Sequence, residues 1–278
     1  MRKREWKYLL AIGVVCLIIG GIWDLQISHV LYHADSLYGK FFEAFAVFPA
    51  VLIASFCSMG LFVTRKKDGN VKSRILAVFY FFLTAGLIYT ASTLPGWYLK
   101  NWTWTGRALI IVFALAEYKL ALYCKESNEE EFRKAAKIGI LLLIFSFLVY
   151  NGAKFIWGRE RYRHMVKVGT FAGFSRWFLP QGIAFSNDFM SFPSGHSANA
   201  AIVVWITLLP GFLPFFRGKE NFLKVISYGW LVLSMCSRIV IGAHFLSDVT
   251  MGAGITLAIF YLLCKRIKPS VFCKNKKD

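Results

Sequence analysis

Apolar runs of roughly twenty residues recur along this chain, and nothing else constrains its fold as tightly. A helix needs about 20 apolar residues to cross about 30 Å of hydrocarbon. Runs of that order lie near residues 8–23, 44–64, 75–94, 108–124, 138–157, 197–215, 222–242 and 245–264. Of the 278 residues, 57% are hydrophobic and 17% charged, whereas a soluble domain carries about 25% charged residues. One soluble core cannot absorb that excess, so a soluble enzyme, a disordered tail and a disulfide scaffold are all excluded. The pattern predicts an all-α, polytopic transmembrane helical bundle. The last two runs nearly touch, which predicts a tight turn around His244.

The formal net charge of +18 would suggest nucleic acid if it formed one patch on a soluble face. It does not. Arg2, Lys3, Arg4 and Lys7 precede the first run, and Arg65, Lys66, Lys67, Lys72 and Arg74 separate the second from the third. Lys265, Arg266, Lys268, Lys274, Lys276 and Lys277 follow the last. Basic loops stay cytoplasmic, which predicts both termini inside, with inner loops at 65–74, 125–137 and 217–224. The expected outer segments, 24–43 and 95–107, hold few cations: Lys40, Lys100 and Arg107. Trp97, Trp102 and Trp104 suit an interfacial belt. No A-x-A cleavage site follows the first run, so it reads as a retained helix. Cys16, Cys57, Cys124, Cys236, Cys264 and Cys273 lack metal-ligand spacing and read as free thiols, with no metal and no cofactor implied.

One segment breaks the charge rule. Residues 158–193 fall outside yet hold Arg159, Arg161, Arg163, Lys167 and Arg176, and an anionic ligand is the simplest reason. Three polar clusters surround it, and ionisable groups at membrane depth are functional candidates by default. Lys154 and Arg161 are seven residues apart, close to two helical turns, so one helical face is expected to carry both. Pro193-Ser194-Gly195-His196 opens the sixth run, and a helix start of this kind offers backbone N–H groups to phosphate. Ser237-Arg238 is followed by His244 and Asp248 at i and i+4, expected to stack on one helical face. A carboxylate there can hold one imidazole nitrogen protonated and leave the other as base or nucleophile.

Each cluster alone also has a structural reading. Lys154 suits a snorkelling interfacial lysine, Ser194 a helix cap, and His244 with Asp248 a buried hydrogen bond. Arg163, Lys167 and Arg176 suit lipid headgroups, while His29, His33 and His164 show no partner at useful spacing. Coincidence favours chemistry, because all three clusters end on the same expected membrane face.

Together the three motifs resemble the type 2 phosphatidic acid phosphatase (PAP2) superfamily of membrane lipid phosphatases, with its signature K-x6-R-P, P-S-G-H and S-R-x5-H-x3-D. Order and spacing are intact over residues 154–248, with Tyr162 in place of the proline after Arg161. The resemblance implies a six-helix phosphatase core, so eight runs would add two N-terminal spans; N-terminal transmembrane helices are expected over 1–137 and the phosphatase core with the three motifs over 138–278, in one integral-membrane domain. It further implies that His244 attacks phosphorus, Asp248 orients its ring and His196, as imidazolium, protonates the leaving group. Lys154, Arg161, Ser194, Gly195 and Arg238 would hold the phosphate. The expected substrate is a lipid phosphate or diphosphate, with surrounding membrane lipids and no nucleic acid as partners. Arg159, Arg163, Lys167 and Arg176 hint at a headgroup of more than one negative charge. Two other classes stay open: a lipid phosphotransferase on the same fold, and a non-enzymatic lipid-binding or transport protein. The number of spans argues against a vanadate-using haloperoxidase.

Overall fold

The computed structural model describes residues 3–66, 68–100 and 102–273. Helix α1 (Lys3–Leu31) continues well past the first apolar run, which corrects the expected outer segment at 24–43. Asp24 and Ser28, four residues apart, share a buried face of α1, so these polar residues prolong the helix rather than end it. Helices α2 (Leu37–Phe45) and α3 (Phe48–Val63) follow. The Ser36 side chain caps α2, and Pro49 stands in the first turn of α3, where its missing N–H costs nothing. Asn70 caps α4 (Val71–Thr93) by accepting from Lys72 N at 3.2 Å. Then come α5 (Thr103–Trp157), α6 (Tyr162–Val168), α7 (Gly195–Ala201), α8 (Glu220–Val240), α9 (Leu246–Ile267) and the short α10 (Ser270–Cys273).

Among the described residues there is no strand, and six helical stretches are long and apolar enough to cross a membrane: Arg4–Leu31, Leu37–Val63, Val71–Trp97, Thr103–Val168, Glu220–Val240 and Leu246–Ile267. The chain is a multi-pass membrane protein. Two of the eight predicted runs, 108–124 and 138–157, fall within α5. Its 55 residues would span about 82 Å if straight, but Asn128 leaves the helical region (φ −163°, ψ 87°). Its side chain accepts from Glu131 N at 3.2 Å and so starts a second arm as an N-cap. The run 197–215 begins in α7 and tightens to a 3-10 helix over Ile202–Gly211. At about 1.5 and 2.0 Å per residue the two add up to a rise of about 30 Å.

The chain forms two compact units interleaved in sequence. The first takes in residues up to Ala46, Ile144–Ala201 and Tyr228–Ile259; the second takes in Val47–Leu143, Ile202–Ser227 and Phe260 onward. Aromatic packing dominates the second, where Phe132 lies 5.4 Å from Phe56 and 5.0 Å from Phe212 between ring centres. Trp205 donates to Ala135 O at 2.7 Å beside them. Gly139 has no side chain because a Cβ would strike Cys57 Sγ and come within 3.0 Å of the Trp205 ring nitrogen. Cys16, Cys57, Cys124 and Cys236 are free thiols. Arg2, Lys67, Lys274, Lys276 and Lys277, and the side chains of Lys3 and Cys273, lie outside the described residues.

Candidate functional site

All three motifs lie in the first unit. Helix α5 stops at Trp157 because Gly158 takes φ +62°, a conformation costly for any residue with a side chain. Its missing Cβ also faces Gly182 O. Arg161 then sits as the N-cap of α6 with an extended backbone. The expectation that Lys154 and Arg161 share a helical face is therefore corrected, since the helix ends between them. The segment 187–190 gathers them instead. Lys154 Nζ donates to Met190 O at 2.9 Å, Arg161 Nη2 to Asn187 Oδ1 at 2.7 Å, and Arg161 N to Asp188 O at 2.8 Å. Arg161 is buried, and its Nε has no hydrogen-bond partner among the described residues.

Tyr162 opens α6, the position where proline is most at home in a helix. Its ring is buried against Tyr32, Phe171 and Phe245, and its hydroxyl meets His29 Nδ1 at 2.8 Å. The departure from the family pattern thus exchanges backbone stiffness for side-chain packing. It also gives His29 a partner 133 residues away, which no local spacing could reveal. His164 is a plainer correction: its Nδ1 meets Oε1 of Glu160, four residues earlier and just before α6, at 2.6 Å.

The second motif follows a cis Phe192–Pro193 bond. Ser194 caps α7, its Oγ accepting from Ser197 N at 3.3 Å, while its own N–H donates to Asp248 O at 2.9 Å. A Cβ on Gly195 would meet the Tyr150 ring at 3.1 Å. His196, in the first turn of α7, has Nε2 3.4 Å from Glu43 O.

The third motif turns sharply between α8 and α9, as expected. Gly242 takes φ +62°, and a Cβ there would lie 2.8 Å from Tyr32 and 3.0 Å from Tyr162. His244 and Asp248 do not, however, stack on one helical face. His244 lies in the turn before α9, its N–H on Arg238 O at 3.2 Å and its Nδ1 on Ser191 O at 2.6 Å. Asp248 Oδ2 is 3.9 Å from that Nδ1. A carboxylate in the first turn of a helix is drawn to unpaired N–H groups, and Asp248 accepts from Phe245 N at 2.9 Å and from Ser191 Oγ at 2.6 Å. Ser191 O thus fixes the ring through Nδ1, leaving Nε2 as the nitrogen available for chemistry.

Sequence reasoning passed over several residues that complete this arrangement. Arg159, grouped with the headgroup cations, is fully buried and bridges two carboxylates: Nη1 to Asp248 Oδ1 at 2.5 Å and Nη2 to Asp24 Oδ2 at 2.9 Å. Its guanidinium also lies 4.2 Å from the Phe245 ring centre. Glu43 Oε1 accepts from both Arg238 Nη2 and Arg163 Nη1 at 3.1 Å. A signal was present: Asp24 is the lone carboxylate in the apolar stretch after Lys7, and such a residue in a span marks a functional candidate. Ser191 carried no signal, because its role rests on a backbone carbonyl.

Electrostatics distinguishes the two histidines from ordinary ones. Burial holds His196 well below the usual histidine value, and the charges of Arg238, His244 and Lys154 push the same way. Burial lowers His244 as well; Asp248 opposes this, while Lys154 and Arg161 reinforce it. Both rings are therefore held toward the neutral form in the protein's own field. Two such imidazoles beside Lys154, Arg161 and Arg238 can bind an anion and offer it a nucleophile and a proton relay. Among the described residues, no three or more His, Cys, Asp or Glu side chains are grouped so as to hold a metal ion.

A family model described as the PAP2 superfamily matches residues 135–270, a stretch that includes all three motifs and excludes Asp24 and Glu43. Phosphatidylglycerophosphatase B of Bacillus subtilis (strain 168) is 40% identical over 75 residues, which is 26% of this chain. The chain spans 37% of that relative's length. No solved structure gives a significant match. With the three motifs in order, gathered in one unit and inside the matched region, residues 135–270 are similar to the PAP2 superfamily.

Proposed function

We propose that this protein is a membrane-embedded, metal-independent phosphatase that hydrolyses a lipid phosphate or diphosphate through a phosphohistidine. The observation that carries the reading is the meeting of His196 and His244 with three cations, Lys154, Arg161 and Arg238, with His244, Arg161 and Arg238 buried and Lys154 and His196 half-buried. His244 Nε2 attacks phosphorus while the bond to the lipid oxygen breaks, and Nδ1 stays fixed on Ser191 O. The imidazolium character that develops is stabilised by Asp248 at 3.9 Å. Lys154, Arg161 and Arg238 neutralise the equatorial oxygens, aided by Ser194 and the Gly195 N–H. The electrostatic part a metal ion could play thus falls to three side chains.

His196 donates a proton to the leaving oxygen. A phosphate dianion offsets the positive charges that hold this ring neutral, so substrate binding itself favours its protonation. In the second half-reaction neutral His196 takes a proton from water, the water oxygen bonds to phosphorus, the N–P bond breaks, and inorganic phosphate leaves. The phosphatase core is assigned to residues 138–278, preceded by the transmembrane helices of 1–137. Alternation of the basic loops supports cytoplasmic termini and an extracytoplasmic site.

The substrate panel starts with phosphatidylglycerol phosphate, for which the Bacillus relative is named. It continues with undecaprenyl diphosphate, phosphatidic acid and lipid A phosphates. The test is phosphate release by detergent-solubilised protein with EDTA present, comparing wild type with His244→Ala. EDTA-resistant release that the substitution abolishes is expected. Release from soluble monoesters alone would sink the lipid reading, and phosphate passing to a second lipid without release would favour a phosphotransferase.

A further inference from the structure

We propose that Asp24, on the first helix and outside the family-matched region, is a positioning residue for the phosphate site, fixing Asp248 and the His244 turn through Arg159 and Ser247. The inference rests on the phosphatase reading and extends it to a helix that carries none of the three motifs.

Asp24 is 1% exposed, and both of its oxygens are engaged with the neighbourhood of His244. Oδ1 accepts from Ser247 N at 3.0 Å, while Oδ2 accepts from Arg159 Nη2 at 2.9 Å and from Ser247 Oγ. Ser247 Oγ in turn accepts from Arg159 Nη1 at 2.8 Å. From Arg159 the chain of bonds runs through Asp248 Oδ1, then from Oδ2 to Ser191 Oγ, and from Ser191 O to His244 Nδ1. Each link joins buried groups, where a half-satisfied network is costly and a complete one is rigid.

The helix is shaped for this approach. A Cβ on Gly20, one turn before Asp24, would lie 2.8 Å from Asp24 Oδ1 and 2.9 Å from Ser247 Cβ. Trp177 Nε1 ties the same helix at Leu17 O, 3.0 Å away. Arg159 therefore has a carboxylate on each side, one reaching the reacting histidine and one anchoring the guanidinium from α1. With Asp24 absent, Arg159 and the first turn of α9 could pivot, and a misplacement of about 1 Å at a reacting centre costs about 100-fold in rate.

Asp24→Asn tests this, because its amide would turn an NH2 toward either Arg159 or the Ser247 N–H, both of which are donors. We expect kcat on the best lipid substrate to fall about 10- to 100-fold with KM within about threefold, since none of the phosphate-holding cations touches Asp24. Orthovanadate, which takes the transition-state geometry at phosphorus, is expected to bind the variant at least about tenfold more weakly. Inorganic phosphate should bind both proteins alike. A merely structural role would instead weaken phosphate and vanadate together and raise KM, which overturns the proposal. So does a folded variant with wild-type kcat and vanadate affinity. If Asp24→Asn does not fold, Ser247→Ala decides: it keeps the N–H bond to Asp24 and loses the hydroxyl bridge, so kcat should drop about 3- to 10-fold, and an unchanged kcat refutes the idea. Wild type that neither releases phosphate nor binds vanadate removes the phosphatase reading and this inference together. An active wild type matched by both variants removes this inference alone.

Discussion

The two units of the chain are built from the same apolar alphabet yet solve opposite problems. The second unit packs rings on rings: Phe56, Phe132, Trp205 and Phe212 meet without a charge among them. The first buries His244 together with Asp24, Arg159, Arg161, Arg238 and Asp248, charged groups of a kind almost never fully buried unless paired. It offsets their desolvation by joining opposite charges through short hydrogen bonds, as Arg159 does between Asp24 and Asp248. A buried ionic network is better explained as pre-organisation for chemistry than as a device for stability.

That contrast can be broken or sharpened by experiment. The largest effect is expected for His244→Ala, which removes the proposed nucleophile and should lower kcat by at least about a thousandfold at unchanged thermal stability. Measurable burst formation of a phospho-enzyme in that variant would break the assignment. Arg161→Ala comes next, with a loss of about 100-fold or more in kcat/KM because a proposed buried phosphate contact disappears. A loss below threefold would place the phosphate elsewhere.

Gly139→Ala sharpens the comparison from the other unit. Overpacking against Cys57 and Trp205 should cost about 1–3 kcal/mol of stability, read as a lower Tm in detergent. The kcat per folded molecule should not change, and a fall in kcat at equal Tm would contradict the division of labour.

The pH profile is the next in size. His244 must be neutral to attack, and burial with Lys154 and Arg161 holds it below its ordinary value of 6.5. A depressed value keeps the ring neutral as pH falls, so the acid limb of kcat/KM should lie below pH 6.5, and a limb at or above that value would reject it. The smallest effect is expected for Tyr162→Phe, which loses the His29 hydrogen bond, worth about 1 kcal/mol, with kcat within about threefold. A large loss of activity would give Tyr162 a part in substrate handling.

The motifs were legible because each is a short run whose chemistry is local: two cations seven residues apart, a Pro-Ser-Gly-His turn, a histidine and aspartate four apart. Their mutual geometry was less legible. Helical spacing put Lys154 with Arg161, and His244 with Asp248, on shared faces. In the structure Gly158 ends one helix between the first pair, and α9 begins only after His244. Spacing reports a shared face only where a helix continues, and a glycine at positive φ overrides it. Arg159 was visible as a cation on the wrong side of the charge rule, but its partner Asp24 is 135 residues away.

By itself, the sequence determined that the chain crosses a membrane several times, that it is helical throughout its apolar runs, and which side chains form the three motifs. These follow from hydrophobic run length and residue identity, which act locally. Only the tertiary structure decided that Ser191 O, rather than Asp248, holds the His244 ring, that Arg159 joins Asp248 to a carboxylate on the first helix, and that Glu43 shares Arg238 and Arg163. Those pairings arise because buried charges must find partners wherever the fold brings them, and that choice is made across space rather than along the chain.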